Sequence, residues 1–596
     1  MSNEQQKLGL ALSGGGFRAS FFHVGVLARL AELGLLRRVE VISAVSGGAI
    51  IAALYYLHVK RLLEERPDEN VTDEDYVAIV QRIEREFLTA VQKNLRMRAF
   101  RNPLKNLRMT GAKYSRSDRL GELYDELLYR PVLAPGSKAP IEMRNLHIRP
   151  KDGPEGFHPR RHNAARKAKV PILILNATSL NTGHNWRFEA SRMGEPPLED
   201  PMVREADKNM RLRRPPTYAD IARHQQNIEL GLAVAASACV PGIFAPLAIS
   251  GLYDRGVRVQ LVDGGVHDNQ GIKALLDERC THFVVSDASG QIPDEIDPAT
   301  GDLSVLLRSN DILMDRVREE ELFALLGAHG ATTAFVHLRK GLEAEGIAWL
   351  GPEGKPAAAM AVERVSQTPC LAFGVHPEVQ ARLSRVRTDL DSFTEVEAQS
   401  LMLDAYLMSV AELRSVLGAS APSRSVQWGF LAIAPWMTTP TEQYLRHLEV
   451  ARRRVCKVFR LSWTVTAATA LVAGLLAAGL WRWQGEALAK LWEREITVGN
   501  LLLTAGGLAL GLLLPAASRA FSVLRFVRAP AEWLFRLMVR GLLPAVGSLL
   551  VWIDLLIFDP LFLRLGRTAR LERPGSPDVA VLEPAPDGAR AGADSG

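Results

Sequence analysis

Two short apolar runs, LGLAL at Leu8–Leu12 and VEVISAV at Val39–Val45, each end in a serine–glycine turn and resume as an apolar helical segment. Runs this short, bounded by glycine, read as strands buried on both faces. A helix between two strands carries the chain back to the edge it started from, so the strands must lie parallel. Strand, turn and helix repeated within the first sixty residues predict an α/β chain: three layers, α/β/α, around a mainly parallel central sheet. The first helix is expected from about Ala19 to Leu33, with Gly34 as its stop.

Further strands follow the same logic. VPILILN ends at Asn176, VQLVDGGVHDNQGI gives a strand running into a glycine loop at Asp263, and HFVVSDAS gives another. IELGLAVAASACVPGIF reads as a helix halted at Pro241-Gly242, and about 376–418 reads as a helical outer layer on the same domain. The four cysteines, Cys239, Cys280, Cys370 and Cys456, show no close pair and no metal-ligand spacing. That pattern excludes a disulfide framework and fits a reducing compartment. The start carries no basic n-region ahead of a long apolar run, so no secretory signal is expected.

Charge is unevenly spread. A net +6 and a pI near 9.1 fit a membrane surface or nucleic acid. From about 60 to 170 basic residues gather, as in QKNLRMRAFRNPLKNLRMTGAKYSRSDR, which sets them against one acid, Asp118. This insertion is either a solvated surface or a rim facing anionic headgroups. No nucleic-acid-binding motif frames the charges, so nucleic acid is not expected as a partner.

The composition changes beyond about 445. Leu461 to Trp481 is uncharged and long enough to cross a bilayer core of roughly 30 Å. A second uncharged stretch runs from Ile496 to Pro515, with tryptophans near the ends of both and cations on the outer flanks. The expected organisation is a catalytic domain over 1–445 and a membrane region over 446–570. That region holds spans at about 461–481 and 496–515, making a multi-pass membrane protein with its catalytic domain cytoplasmic. Asp554 and Asp559 make a full span at about 541–563 expensive, so that segment is expected to be interfacial or re-entrant. Residues 571–596, rich in Pro, Gly and Ala, are expected to be disordered.

Three stretches carry the chemistry. Ala44-Val45-Ser46-Gly47-Gly48 places a serine where a strand turns abruptly into a helix, the geometry of a nucleophile elbow. Gly14, Gly15 and Gly16 follow the first strand and can aim amides at one point, as an oxyanion hole requires, with Arg18 adding positive charge. The same run fits a dinucleotide fingerprint with Glu40 as a ribose ligand, but Glu40 lies at the beginning of its strand rather than the end. Asp263, followed by Gly264 and Gly265, stands at the carboxyl end of a strand, where open α/β sheets keep their sites. Asp263 needs burial to become a useful base. His267 and His23 are candidates for a third member, though His23 on the helix behind the glycine loop reads as a core histidine.

In order and spacing, SGGGFRA, SAVSGGA, AASACVPGIF and VDGGVHDNQG resemble the patatin-like phospholipase family, with the similarity running from about Lys7 to Leu417. The resemblance implies a patatin-like three-layer fold and a Ser46–Asp263 dyad without histidine. It also implies an oxyanion hole at Gly14, Gly15 and Gly16 supported by Arg18. Ala44 departs from the family's commoner glycine. The expected activity is hydrolysis of fatty acyl esters of phospholipids or lysophospholipids at a bilayer, with no metal or cofactor. A transacylase using the same dyad and a catalytically silent membrane scaffold are the alternatives.

Overall fold

The computed structural model describes residues 6–109, 114–352 (apart from 199, 291, 293 and 345), 354, 371–418, 426–492 and 543–574. The strands are β1 (Leu8–Leu12), β2 (Val39–Val45), β3 (Ile172–Ser179), β4 (Asn185–Phe188), β5 (Met193–Gly194), β6 (Leu247–Ser250), β7 (Arg258–Asp263), β8 (His282–Asp287) and β9 (Thr333–His337). They form one nine-stranded sheet in the order β5-β4-β3-β2-β1-β8-β9, with β6 and β7 joined through β3. The five strands β3, β2, β1, β8 and β9 run parallel, while β4, β5, β6 and β7 pair antiparallel at the margin. The parallel centre matches the sequence expectation.

Side chains alternate across a strand, so each buried strand feeds two cores. Leu10, Leu12, Ile42, Ala44 and Leu175 face one layer of helices. Ala11, Val41, Ile174, Phe283 and Val285 face the other, against Ile272, Leu275 and Leu325. The first layer is led by α1 (Gly16–Glu32) and α2 (Gly47–Glu65), which leave the sheet directly after β1 and β2. α1 begins at the glycines themselves, earlier than the expected Ala19.

The described part of the basic insertion is folded into helices and turns. Its helix α3 (Asp73–Val91) opens on a capping box between Thr72 and Asp75 and buries Tyr76, Val80, Ile83 and Phe87 on one stripe. Phe87 packs against Phe17 and Phe21, at ring-centroid distances of 5.8 and 4.9 Å. A second helix, α4 (Arg116–Tyr124), crosses α5 (Leu230–Ser237) at glycine: a Cβ on Gly231 would stand 2.1 Å from the Gly121 carbonyl oxygen. Much of the insertion's charge is spent inside the protein. Arg96 pairs with Asp389, Lys105 and Arg119 with Glu122, Arg130 with Asp125, and Arg160 with Glu189 and Glu278.

The outer layer expected near 376–418 is present as a short helix, Pro377–Leu383, followed by α6 (Glu395–Leu417). α6 lies directly on α1, where a Cβ on Gly25 would come within 2.0 Å of the Met402 carbonyl oxygen.

The paired spans are not supported. Among the described residues no helix is long and apolar enough to cross a membrane. α7 (Trp463–Trp492) starts where the first span was expected, and its sequence turns charged at Arg482, Glu486 and Lys490. The second stretch, 496–515, lies outside the described residues, as does most of the tail expected over 571–596. The segment expected at 541–563 is two helices, α8 (Leu543–Ile553) and α9 (Asp559–Leu565), joined by a π-helical turn. It is tied to the α/β domain: Ser392 donates to the Asp559 carboxylate, Asn94 donates to it at 3.1 Å, and Asn106 donates to Ser548 at 2.8 Å. Asp559 therefore sits in a protein contact, and its cost in lipid does not arise at that position.

Candidate active site

Ser46 occupies the turn between β2 and α2 with φ 49° and ψ −117°. A non-glycine residue with positive φ is strained, and such strain persists only where surrounding contacts hold it. Here the Ser46 amide donates to the Ser237 hydroxyl at 2.8 Å, at the end of α5. The turn is also tight: a Cβ on Gly47 would lie 2.0 Å from the Gly16 carbonyl oxygen, and one on Gly48 would lie 2.2 Å from that of Leu12. Larger residues at 47 or 48 would push the elbow off the glycine loop. Ala44, where the family more often has glycine, fits within the sheet between Leu12 and Leu175 without exposure.

Asp263 ends β7. Its backbone is pinned on both sides, its amide donating to the Cys239 carbonyl at 2.9 Å and its carbonyl accepting from Thr178 Oγ1 at 2.9 Å. The carboxylate accepts the Gly265 amide at 2.8 Å and has the Ser46 hydroxyl as its neighbour. Burial raises its pKa to about 6, the Gly265 amide and the Ser46 hydroxyl pulling the other way. A carboxylate poised there is ionised at neutral pH yet basic enough to take a proton. Gly264 lies against β3, where a Cβ would meet the Asn176 carbonyl oxygen at 2.4 Å.

The glycine loop arches over this pair. A Cβ built on Gly14 would come within 3.3 Å of the Ser46 Cβ. Gly15 and Gly16 have φ of 136° and 58°, values that select glycine and turn their amides out of the strand. The three amides are not equivalent. That of Gly14 donates to the Asn269 carbonyl at 2.9 Å, whereas among the described residues those of Gly15 and Gly16 have no acceptor. The donors open to an oxyanion are thus Gly15 and Gly16, and Gly14 serves the loop's placement.

Arg18 also differs from expectation. Its guanidinium is buried and gives Nε and Nη2 to the Ala288 carbonyl, at 3.1 and 2.8 Å, and Nη1 to that of Val386 at 2.8 Å. Its donors are committed to backbone, so it supports the loop by tethering it to two neighbouring segments. Burial depresses even this guanidinium, to about 10.

Neither histidine joins the dyad. His23 is buried between the Ser13 carbonyl, 2.9 Å from Nε2, and the Ser286 hydroxyl, 2.7 Å from Nδ1. Burial pulls it down to about 4, so it is neutral and holds the loop's base. His267 is likewise depressed to about 4 by burial and lies outside the cavity wall. Glu40 accepts a side-chain hydrogen bond from Asn163 at the far end of β2, away from the glycines. Three supporting residues were not anticipated: Ser237 under the elbow, Asn269 under the loop, and Asn176, which donates to Ser43 Oγ and the Ala44 carbonyl at 3.0 and 3.1 Å. Ser237 and Asn176 act through neutral side chains and Asn269 through its main-chain carbonyl, each on a partner far off in sequence. The AASACVPGIF segment was the only signal that could have drawn attention to Ser237.

Ser46, Asp263, Gly15 and Asn269 share the wall of a cavity of about 1230 Å³, enough for a substrate larger than a single acyl group.

The patatin-like phospholipase family model matches residues 10–276. Among solved structures, human GIVD cytosolic phospholipase A2 in complex with methyl gamma-linolenyl fluorophosphonate inhibitor and terbium chloride is similar at 16% identity and a TM-score of 0.35, covering 70% of this chain and 60% of that one. VipD from Legionella pneumophila is similar at 11% identity and a TM-score of 0.27, covering 97% of this chain and 94% of that one. The match thus spans only about 60% of the human enzyme's length. No curated protein matches the sequence. Residues 10–276 are a patatin-like phospholipase domain, and the elbow serine, the glycine loop and the buried aspartate all fall within it.

Proposed function

We propose that this protein is a serine lipid acyl hydrolase that cleaves fatty acyl esters of phospholipids or lysophospholipids through Ser46 and Asp263. The observation that carries the reading is that Ser46, at a strained strand-to-helix turn, shares one cavity wall with the buried Asp263 carboxylate, whose pKa burial raises to about 6. Asp263 takes the hydroxyl proton as Oγ attacks the ester carbonyl. The resulting oxyanion is met by the Gly15 and Gly16 amides, the two loop donors left without an acceptor among the described residues. Collapse expels the glycerol-side oxygen, which recovers the proton from Asp263 and leaves an acyl-serine. Water, deprotonated by Asp263, attacks that ester and releases the fatty acid, returning the proton to Ser46.

The enzyme would act at a membrane surface with its catalytic domain on the cytoplasmic side. Supporting the surface location, Leu549, Leu550, Leu556 and Ile557 are 60, 60, 65 and 50% exposed on one side of the α8–α9 segment, while Ser548 and Asp559 face the protein. An apolar face of that kind suits the headgroup–acyl boundary. A transacylase would use the same groups and differ only in the acceptor.

The test is release of fatty acid from phospholipid vesicles together with labelling by a fluorophosphonate probe. The full chain should do both and Ser46→Ala neither. Activity retained in Ser46→Ala, or no labelling of the native serine, would remove the mechanism.

A further inference from the structure

The cavity that holds Ser46 is walled in part by residues far beyond the matched domain, and the hydrogen bonds that bring them there start at the glycine loop. The Phe17 amide donates to the Asp389 carbonyl at 3.0 Å, and Arg18 Nη1 donates to that of Val386. Arg387 next reaches the Ala451 carbonyl twice, from its amide at 3.2 Å and from Nη1 at 2.7 Å. Arg96, paired with Asp389, donates to the Arg454 carbonyl at 3.0 Å. The segments 385–389 and 451–454 are thereby stitched to the loop that flanks the nucleophile.

These segments place Arg385, Arg453 and Arg454 on the cavity wall, exposed, and among the described residues none of the three has an ion-pair partner. Other charges in the cavity are accounted for differently. Arg387 is buried in pairs with Asp391 and Glu397, Arg318 pairs with Asp287 and Asp315, and Arg452 pairs with Glu449. Asp294 attracts Arg339. Asp311 and Glu343 also line the cavity, but from the helix Asp302–His329 and the loop after β9, not from the arginine-bearing segments. Three guanidinium groups without carboxylate partners, on the wall of the cavity that holds Ser46, suit an anion with several oxygens; arginine is the side chain best matched to phosphate.

We infer that Arg385, Arg453 and Arg454 form a phosphate-binding subsite of the Ser46 cavity, which selects acyl esters carrying an anionic phosphate headgroup. The inference rests on the hydrolase reading for what the subsite is for, but binding can be measured without turnover. The headgroup phosphate docks on the arginines while the acyl carbonyl lies under Gly15 and Gly16. Substrate choice is then set by residues outside 10–276, which the family match does not cover.

The experiment is calorimetric titration of the full-length Ser46→Ala chain, in a neutral-headgroup detergent, with dihexanoyl phosphatidic acid, dihexanoylglycerol and inorganic phosphate. Phosphatidic acid should bind at least about tenfold more tightly than the uncharged lipid, weakening with salt. Adding R385Q, R453Q and R454Q should abolish that preference, and the corresponding lysine replacements should restore most of it. Equal binding of the two lipids, a preference that survives the glutamines, or inorganic phosphate bound as tightly as the lipid would each overturn the assignment. In parallel, the chain with Ser46 intact is assayed on p-nitrophenyl butyrate, which has no phosphate. Equal turnover with and without the glutamine replacements confirms that they leave the dyad alone. No turnover by the native chain would sink the hydrolase reading without touching the binding result.

Discussion

Ser237 holds Ser46: the hydroxyl at the end of one helix accepts the amide at the start of another, 191 residues earlier in the chain. The contact braces the strained φ of the elbow. Ser237→Ala leaves a buried amide unpaired, which costs about 1–3 kcal/mol. Thermal unfolding should report that loss, and fluorophosphonate labelling of Ser46 should slow by tenfold or more with binding of short-chain lipid little changed. An unaltered labelling rate would mean that the elbow keeps its shape unaided.

Asp263 links catalysis to pH. With its pKa near 6, the base is protonated below that value, so turnover should rise with pH through about 6 and level off above it. Stability runs the opposite way. A folded-state pKa raised above the unfolded value near 3.8 contributes stability that is intact below about 3.8 and is lost as pH rises to about 6. At neutral pH the ionised carboxylate therefore costs about 3 kcal/mol. Asp263→Asn should be inactive, more heat-stable than the native chain at pH 8, and no different from it near pH 4. Denaturation followed across that range checks the sign.

Asp404 makes the same comparison away from the site. It is buried in α6, accepts one hydrogen bond from Gln380 at 3.1 Å, and is raised by burial to about 8. Its contribution is intact below about 3.8 and is lost progressively as pH climbs to about 8. Asp404→Asn should match the native chain at pH 4 and melt at a higher temperature at pH 9, with kcat unchanged at pH 7.

Two glycines separate folding from function. Gly25→Ala drives a methyl toward the Met402 carbonyl and should destabilise the α1–α6 contact, lowering soluble yield and melting temperature together. Gly47→Ala strikes the Gly16 carbonyl instead, at the site itself. It should lower labelling of Ser46 by far more than its melting temperature suggests. Labelling that falls only in proportion to stability would show that loop placement is not critical.

The parallel sheet and the positions of Ser46 and Asp263 at strand ends were legible because their signals are local. β-branched runs, glycine turns and a serine or aspartate at a strand end can be read within a few residues, and β1, β2, β7 and β8 stand where those signals put them. What was not legible involves distant partners. Ser237 and Asn269 are neutral residues whose importance appears only when their amide partners, on Ser46 and Gly14, arrive. The basic insertion looked unbalanced because several of its acids lie elsewhere, Asp389 on a later segment and Glu189 and Glu278 beyond the next strands. Arg18 looked like an oxyanion partner, since the carbonyls that claim it come from residues 288 and 386.

The bond between Arg387 and the Ala451 carbonyl has a practical side for anyone preparing this protein. A soluble fragment ending at 445, the boundary that composition suggests, would strip a buried guanidinium of an acceptor and remove Lys457 from its place beside Asp391. The stub would lose the brace behind its own glycine loop. Shortened versions should instead keep the chain through 461 and supply 543–572 as well, joined by a linker across the gap.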